Sequence, residues 1–301
     1  MPRVPTPIVR AVDRAVVSRG MGMRFGVGRA FLRSLGPLNP MPRGVEKQTA
    51  EWGGIRGLAL QPQGVDPEPR ILYLHGGGYC YGCPDVHAPL VARITVAAGT
   101  AAFAARYRLA PEHPYPAGLV DARSAYEAIA DAHGPPALVG DSAGAGLALS
   151  LALACRDEGL PRPPAVALIS PWVDLTCNGE SVRANAGKDA LLKPQYMDRC
   201  ARAYANGLER SDSRVSPLFA DLEGLGPTLI HVAAEELLLS ESIGLAARLR
   251  DAGVAVEACL FPGMWHDFHV HAGTLRQADE AVQQLAAWLG SNQTQPAPAS
   301  A

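Results

Sequence analysis

The sequence predicts an α/β protein built on a mostly parallel central sheet, and three observations predict it. Short apolar, β-branched runs alternate with longer stretches in which apolar residues recur every three or four positions. Pro- and Gly-rich punctuation falls between the units, at Gly134-Pro135-Pro136 and around residues 161–164 and 224–227. One strand-to-helix junction carries a serine flanked by glycines. Alternation of this kind builds a sheet covered by helices on both faces.

The strand runs fall at residues 55–60, 71–75, 101–107, 137–139, 166–169, 228–232 and 256–261. Most are continuously apolar, as buried parallel strands are. The helical stretches between them are 87–98, 119–132, 143–157, 241–251 and 275–289. Two segments break the rhythm. Residues 1–45 are amphipathic and precede the first strand, and residues 178–222 carry a helix around 194–206 where another strand-helix unit would fit. Both suit a helical cap over one end of the sheet. The expected division is therefore cap helices over 1–45, core over 46–177, a cap insert over 178–222, core again over 223–290, and a disordered tail over 291–301 that is small, polar and Pro-rich.

Composition narrows the function classes. Of 301 residues, 48% are hydrophobic and 19% charged, the mix of an ordinary globular chain. A formal net charge of -2 supplies no electrostatic footprint for nucleic acid or an anionic membrane. No run approaches the ~20 apolar residues of a membrane span. Arginines and Asp13 interrupt the apolar core that a secretory signal needs, so the expectation is a soluble, cytoplasmic protein. Six scattered cysteines, Cys80, Cys83, Cys155, Cys177, Cys200 and Cys259, read as free thiols rather than a disulfide framework. Cys80 and Cys83 lack the strand-helix context of a redox pair.

The chemistry starts at Gly140-Asp141-Ser142-Ala143-Gly144. This G-x-S-x-G string follows a strand and opens a long helix, where a nucleophile elbow has to sit: a sharp turn with small neighbours that lifts the serine Oγ into a cleft. The bland reading is a glycine-rich turn with no chemistry, and the flanking strand and helix argue against it. Upstream, His75-Gly76-Gly77-Gly78-Tyr79 directly follows another strand. Consecutive glycines expose backbone N–H groups, and two of these with that of Ala143 can form an oxyanion hole. A phosphate-binding loop would need a lysine-serine signature or G-x-G-x-x-G, and neither is present. Tyr79 and Tyr81 beyond the glycines are expected to line a substrate pocket. The third piece is His266 in a loop after the last strand, where the base of a Ser–acid–His order belongs. His269 and His271 nearby open a metal-binding reading, but no cysteine or carboxylate pair completes a zinc pattern.

These motifs together resemble the bacterial hormone-sensitive-lipase family of esterases. The matching features, in order, are HGGGY, YRLAPEHPYPA at 107–117, GDSAG, SPWVDLT at 170–176, a late acidic loop and the His266 loop. The resemblance covers about residues 50 to 290 and implies an α/β-hydrolase core with a helical cap. It also implies a serine carboxylesterase acting on short acyl chains, with Gly77, Gly78 and Ala143 as oxyanion donors and no cofactor or metal. The acid departs from the usual Asp-Pro-Leu, because this chain reads Ala233-Ala234-Glu235-Glu236-Leu237-Leu238. Anchoring on the following Leu238-Leu239-Ser240-Glu241 places the acid at Glu236, with Glu235 as the alternative. Glutamate serves by orienting the imidazole and stabilising imidazolium. The expected partner is a small ester, and a homodimer through the last strand and helix is usual for the family. Lactone, amide and carbamate hydrolases share the same triad. Receptors on this fold have lost a functional histidine, which this chain retains as His266.

Overall fold

The structure, a computed structural model, describes residues 3–36 and 39–293. Four of its strands are buried along their whole length: β4 (Ala101–Ala105), β5 (Ala137–Asp141), β6 (Val166–Ile169) and β7 (Thr228–Ala233). With β3 (Pro69–Leu74) and β8 (Val256–Phe261) they pair parallel throughout. The antiparallel hairpin of β1 (Val45–Trp52) and β2 (Ile55–Pro62) extends the sheet to eight strands in the order β1-β2-β4-β3-β5-β6-β7-β8.

The sequence expectation omitted β1. Its residues, VEKQTAEW, are mostly polar and mostly exposed at a sheet edge, so no buried face imposes an apolar pattern. The signal for it lies in the turn, where Gly53 (φ 57°) and Gly54 (φ 78°) form a two-residue link that only glycine enters easily.

Successive side chains of a strand point to opposite faces, and two cores result. Leu72 and Leu74 of β3 pack in one, with α5 (Ala117–His133), α6 (Ala143–Asp157) and α9 (Leu239–Asp251). Ile71 and Tyr73 pack in the other, with α4 (Pro84–Ala98) and α10 (Arg276–Gln293). Helix α10 runs three residues into the segment expected to be a disordered tail, and residues 294–301 lie outside those described. All six cysteines are free. Among the described residues no helix is long and apolar enough to cross a membrane.

The segment before β1 folds as α1 (Thr6–Val12), a π-helical turn (Asp13–Val17), α2 (Ser18–Gly22) and α3 (Phe25–Leu35). Between β6 and β7 lie α7 (Glu180–Ala184) and α8 (Pro194–Ala205). Asp13, 1% exposed, fastens the first segment down: its Oδ2 lies 2.7 Å from Trp265 Nε1 and 2.6 Å from His271 Nε2. Arg199 of α8 reaches the carbonyl of Met21, which joins the two segments. Removing a buried acceptor leaves both donors unsatisfied. Asp13→Ala is therefore expected to lower the unfolding free energy by about 2–3 kcal/mol, read by urea denaturation.

Candidate active site

Strand β5 ends at Asp141 and α6 begins at Ala143, so Ser142 must make the whole turn. It does so at φ 52° and ψ -120°, a conformation held only by surrounding packing. Its N–H donates to Ile169 O (2.8 Å), and its carbonyl accepts from Trp172 N (3.0 Å). The flanking glycine is required sterically, because a Cβ on Gly144 would lie 2.0 Å from the carbonyl oxygen of Leu74.

That contact brings the end of β3, and the glycine loop after it, against the serine turn. Asp141 ties the two together: its Oδ1 accepts from Gly76 N (2.9 Å) and from the Tyr73 hydroxyl (2.5 Å). A Cβ on Gly76 would meet Asp141 Oδ2 at 2.2 Å. Behind this carboxylate sits His87, with Nε2 3.2 Å from Oδ2. Burial opposes charge on both groups, yet each holds the other ionised. The Asp141 carboxyl is held down at about 2 and the His87 imidazolium up at about 9. His75 differs: burial pushes it down to about 3, and its neutral ring stacks on Tyr107. Gly77 (φ 119°) and Gly78 (φ 61°) follow, and among the described residues nothing accepts from their N–H groups or from that of Ala143. Three free donors thus border Ser142.

His266 Nε2 lies 2.9 Å from Ser142 Oγ, and both side chains are buried. Its Nδ1 faces Glu236 Oε1 at 3.8 Å, and among the described residues these two atoms have no other partner. The second oxygen of Glu236 accepts from Ser170 Oγ (2.7 Å) and Ala233 N (3.0 Å), which fixes the carboxylate under the ring. Glu235 points elsewhere and pairs with Arg10 at 2.7 Å, partly exposed. The three clustered histidines also diverge: His269 faces His231, and His271 faces Asp13.

Asp267, adjacent to His266 and out of the expected chain order for a triad acid, enters the site on the other side of the ring from Glu236. Its backbone is left-handed (φ 52°), and Oδ2 comes within 3.1 Å of His266 Nε2, the nitrogen that faces Ser142. Burial pushes the Asp267 carboxyl up to about 7, against the pull of His266. Burial disfavours the imidazolium in turn, but Asp267 and Glu236 outweigh it and hold His266 well above its ordinary value. Sequence reasoning missed Ser170; its hydroxyl bridges Glu236 and the Asp267 N–H (3.3 Å). Its position just before Pro171, at the end of β6, was the available sign.

Two cavities meet at Ser142. One, about 400 Å³, reaches under the N-terminal helices and includes Tyr81 in its wall. The other, about 10 Å³, lies against Gly78 and α8. Tyr81 is braced by Arg199 and by the carbonyls of Met21 and Met23. Tyr79 borders neither cavity; its ring stacks on Tyr204 at 3.8 Å and its hydroxyl bonds Trp172 O.

A parallel sheet with this serine turn after β5 and a histidine loop after β8 defines an α/β hydrolase. Residues 71–270 match the family model described as the α/β hydrolase fold. The chain is 38% identical over 244 residues to an acetyl-hydrolase of Streptomyces hygroscopicus, covering 80% of this chain and 79% of that one. An esterase of Acinetobacter venetianus is 32% identical over 267 residues, 87% and 88% of the two chains. The crystal structure of an esterase from the bacterial hormone-sensitive lipase family has a TM-score of 0.90 at 30% identity, covering 96% of this chain and 99% of the other. The chain belongs to the bacterial hormone-sensitive lipase family of α/β hydrolases.

Two outcomes follow from the geometry around His266. Glu236→Ala is expected to lower kcat on the order of 10⁴-fold, by analogy with removal of the orienting acid in a triad, and Glu235→Ala by less than about tenfold; steady-state kinetics of both variants check the ranking. A base must be neutral to accept a proton, so a raised His266 value places the acid limb of the kcat/KM profile above the ordinary histidine range. Asp267→Asn removes a carboxylate that favours imidazolium, so that limb should move to lower pH.

Proposed function

We propose that the protein is a serine carboxylesterase that hydrolyses short-chain carboxylic esters through Ser142, His266 and Glu236. The observation that carries the reading is the 2.9 Å approach of His266 Nε2 to Ser142 Oγ, beside three backbone N–H groups without acceptors. His266 takes the Ser142 proton while Oγ bonds to the ester carbonyl carbon. Gly77, Gly78 and Ala143 donate to the resulting oxyanion; one such donor was worth about 2.7–4 kcal/mol in a serine protease. The tetrahedral species collapses as the alcohol oxygen leaves with the proton from His266. Water then repeats the sequence on the acyl-enzyme and releases the acid. Glu236 holds the ring and stabilises its charged form. Each bond and proton in this sequence comes from these groups, substrate and water.

In this reading residues 1–45 and 178–222 cap a core formed by 46–177 and 223–290. The similar proteins named acetyl-hydrolase and esterase support the substrate class. A homodimer through β8 is consistent with that strand's place at the sheet edge and with Leu260, 54% exposed on it.

The test is hydrolysis of p-nitrophenyl acetate, butyrate, octanoate and laurate by wild type and Ser142→Ala. Wild type should favour the short chains, and the variant should lose on the order of 10⁴–10⁶-fold in kcat while staying folded by circular dichroism. Undiminished turnover in the variant would place the nucleophile elsewhere.

A further inference from the structure

The two cavities at Ser142 differ about fortyfold in volume, and only one of them contains the base. The small one, about 10 Å³, is walled by Gly78, Trp172, Leu192, Met197, Cys200 and Leu238. That is room for about one water molecule, or for one methyl group. The large one, about 400 Å³, lies in the range of small-molecule sites. Its walls include Ile8, Val12, Val17, Met21, Leu32 and Val270, and also His266.

Position of the base decides which half of the ester goes where. The group that protonates a leaving oxygen must lie within about 2.6–3.2 Å of it. His266 borders the large cavity and is absent from the walls of the small one. The departing alcohol therefore extends into the large cavity, and the acyl carbon chain points past Gly78 toward Trp172 and Met197. The charged groups of the large cavity are already engaged: Asp13 with Trp265 and His271, His87 with Asp141, and Asp267 with His266. Among the described residues its walls hold no lysine or arginine that could receive an anionic alcohol.

We propose that the substrates of this enzyme are acetate esters of bulky, uncharged, apolar alcohols. The inference rests on the serine-esterase reading above and adds the identity of both halves of the ester. In the first step the Ser142 Oγ–acetyl bond forms and the bond from carbonyl carbon to alkoxy oxygen breaks. The serine proton passes through His266 to the alcohol, which departs along the apolar cavity. Water then adds to the acetyl carbon and gives one proton through His266 to Ser142 Oγ as the bond from Oγ to carbon breaks, and acetic acid leaves with the other. Each acyl methylene added to the acetyl group has to displace a packed side chain of the small cavity. Discrimination of about tenfold or more per methylene is the scale for such a pocket.

Hexyl acetate and methyl heptanoate test the assignment, because they are isomers with the same atoms and nearly the same hydrophobicity. Hexyl acetate is expected to have a kcat/KM about 100-fold or more above methyl heptanoate. Met197→Ala, which enlarges the small cavity, should raise the ratio of hexyl butyrate to hexyl acetate turnover about tenfold. Equal rates for the isomers, or a preference for methyl heptanoate, would overturn the inference. So would failure to cleave either isomer by an enzyme that cleaves p-nitrophenyl acetate. Loss of all three activities would instead bring down the esterase reading itself.

Discussion

A chain that leaves a buried strand and enters a helix within one residue has little freedom at that residue. Ser142 makes this turn at φ 52°, and the turn closes only because Gly144 lets α6 press against the Leu74 carbonyl. The same contact draws the end of β3 beside the end of β5, so the glycine loop lies next to the serine, where Asp141 holds it at Gly76 N. Because the inner strands are parallel, the segments after β3, β5, β7 and β8 all emerge at one end of the sheet. The glycine loop, Ser142, Glu236 and His266 come from four separate stretches of sequence and converge there through topology.

Four carboxylates near this end meet different fates, and their hydrogen bonds explain why. Asp141 accepts from Tyr73 and Gly76 and faces the His87 imidazolium, so it stays ionised despite burial. Glu236 is satisfied on one oxygen by Ser170 and Ala233 N, leaving the other for His266. Among the described residues Asp267 has only His266 as a side-chain partner, and burial pushes its carboxyl up. Glu235, one residue from Glu236, is spent on Arg10 at the surface.

Legibility in the sequence followed the strength of local constraint. The core strands were readable because burial on both faces forces apolar runs, and β1 was not, because an exposed edge imposes none. Ser142 and His266 stood out through turn chemistry and chain order. Two adjacent glutamates share almost the same local sequence, so Glu236 was reachable only by aligning the residues after it; burial and Ser170 distinguish the pair in space. Tyr79 beside the glycines looked like a wall of the pocket, yet its left-handed backbone (φ 59°) accompanies a ring turned back onto Tyr204. Cavity sizes were illegible, since they depend on how helices distant in sequence settle over the serine.

Asp13 holds Trp265 and His271, the residues that bracket the loop bearing His266, and it does so from the same helical segment that walls the large cavity. Among the described residues the small cavity has no comparable tie to His266; its wall comes from α8 and the segments beside it. Variation is therefore unevenly permitted. Substitutions on α8 can drift and reshape the small cavity while leaving the His266–Ser142 contact in place. Changes along the N-terminal helices carry the His266 loop with them, so the shape of the large cavity and the His266–Ser142 contact are inherited together.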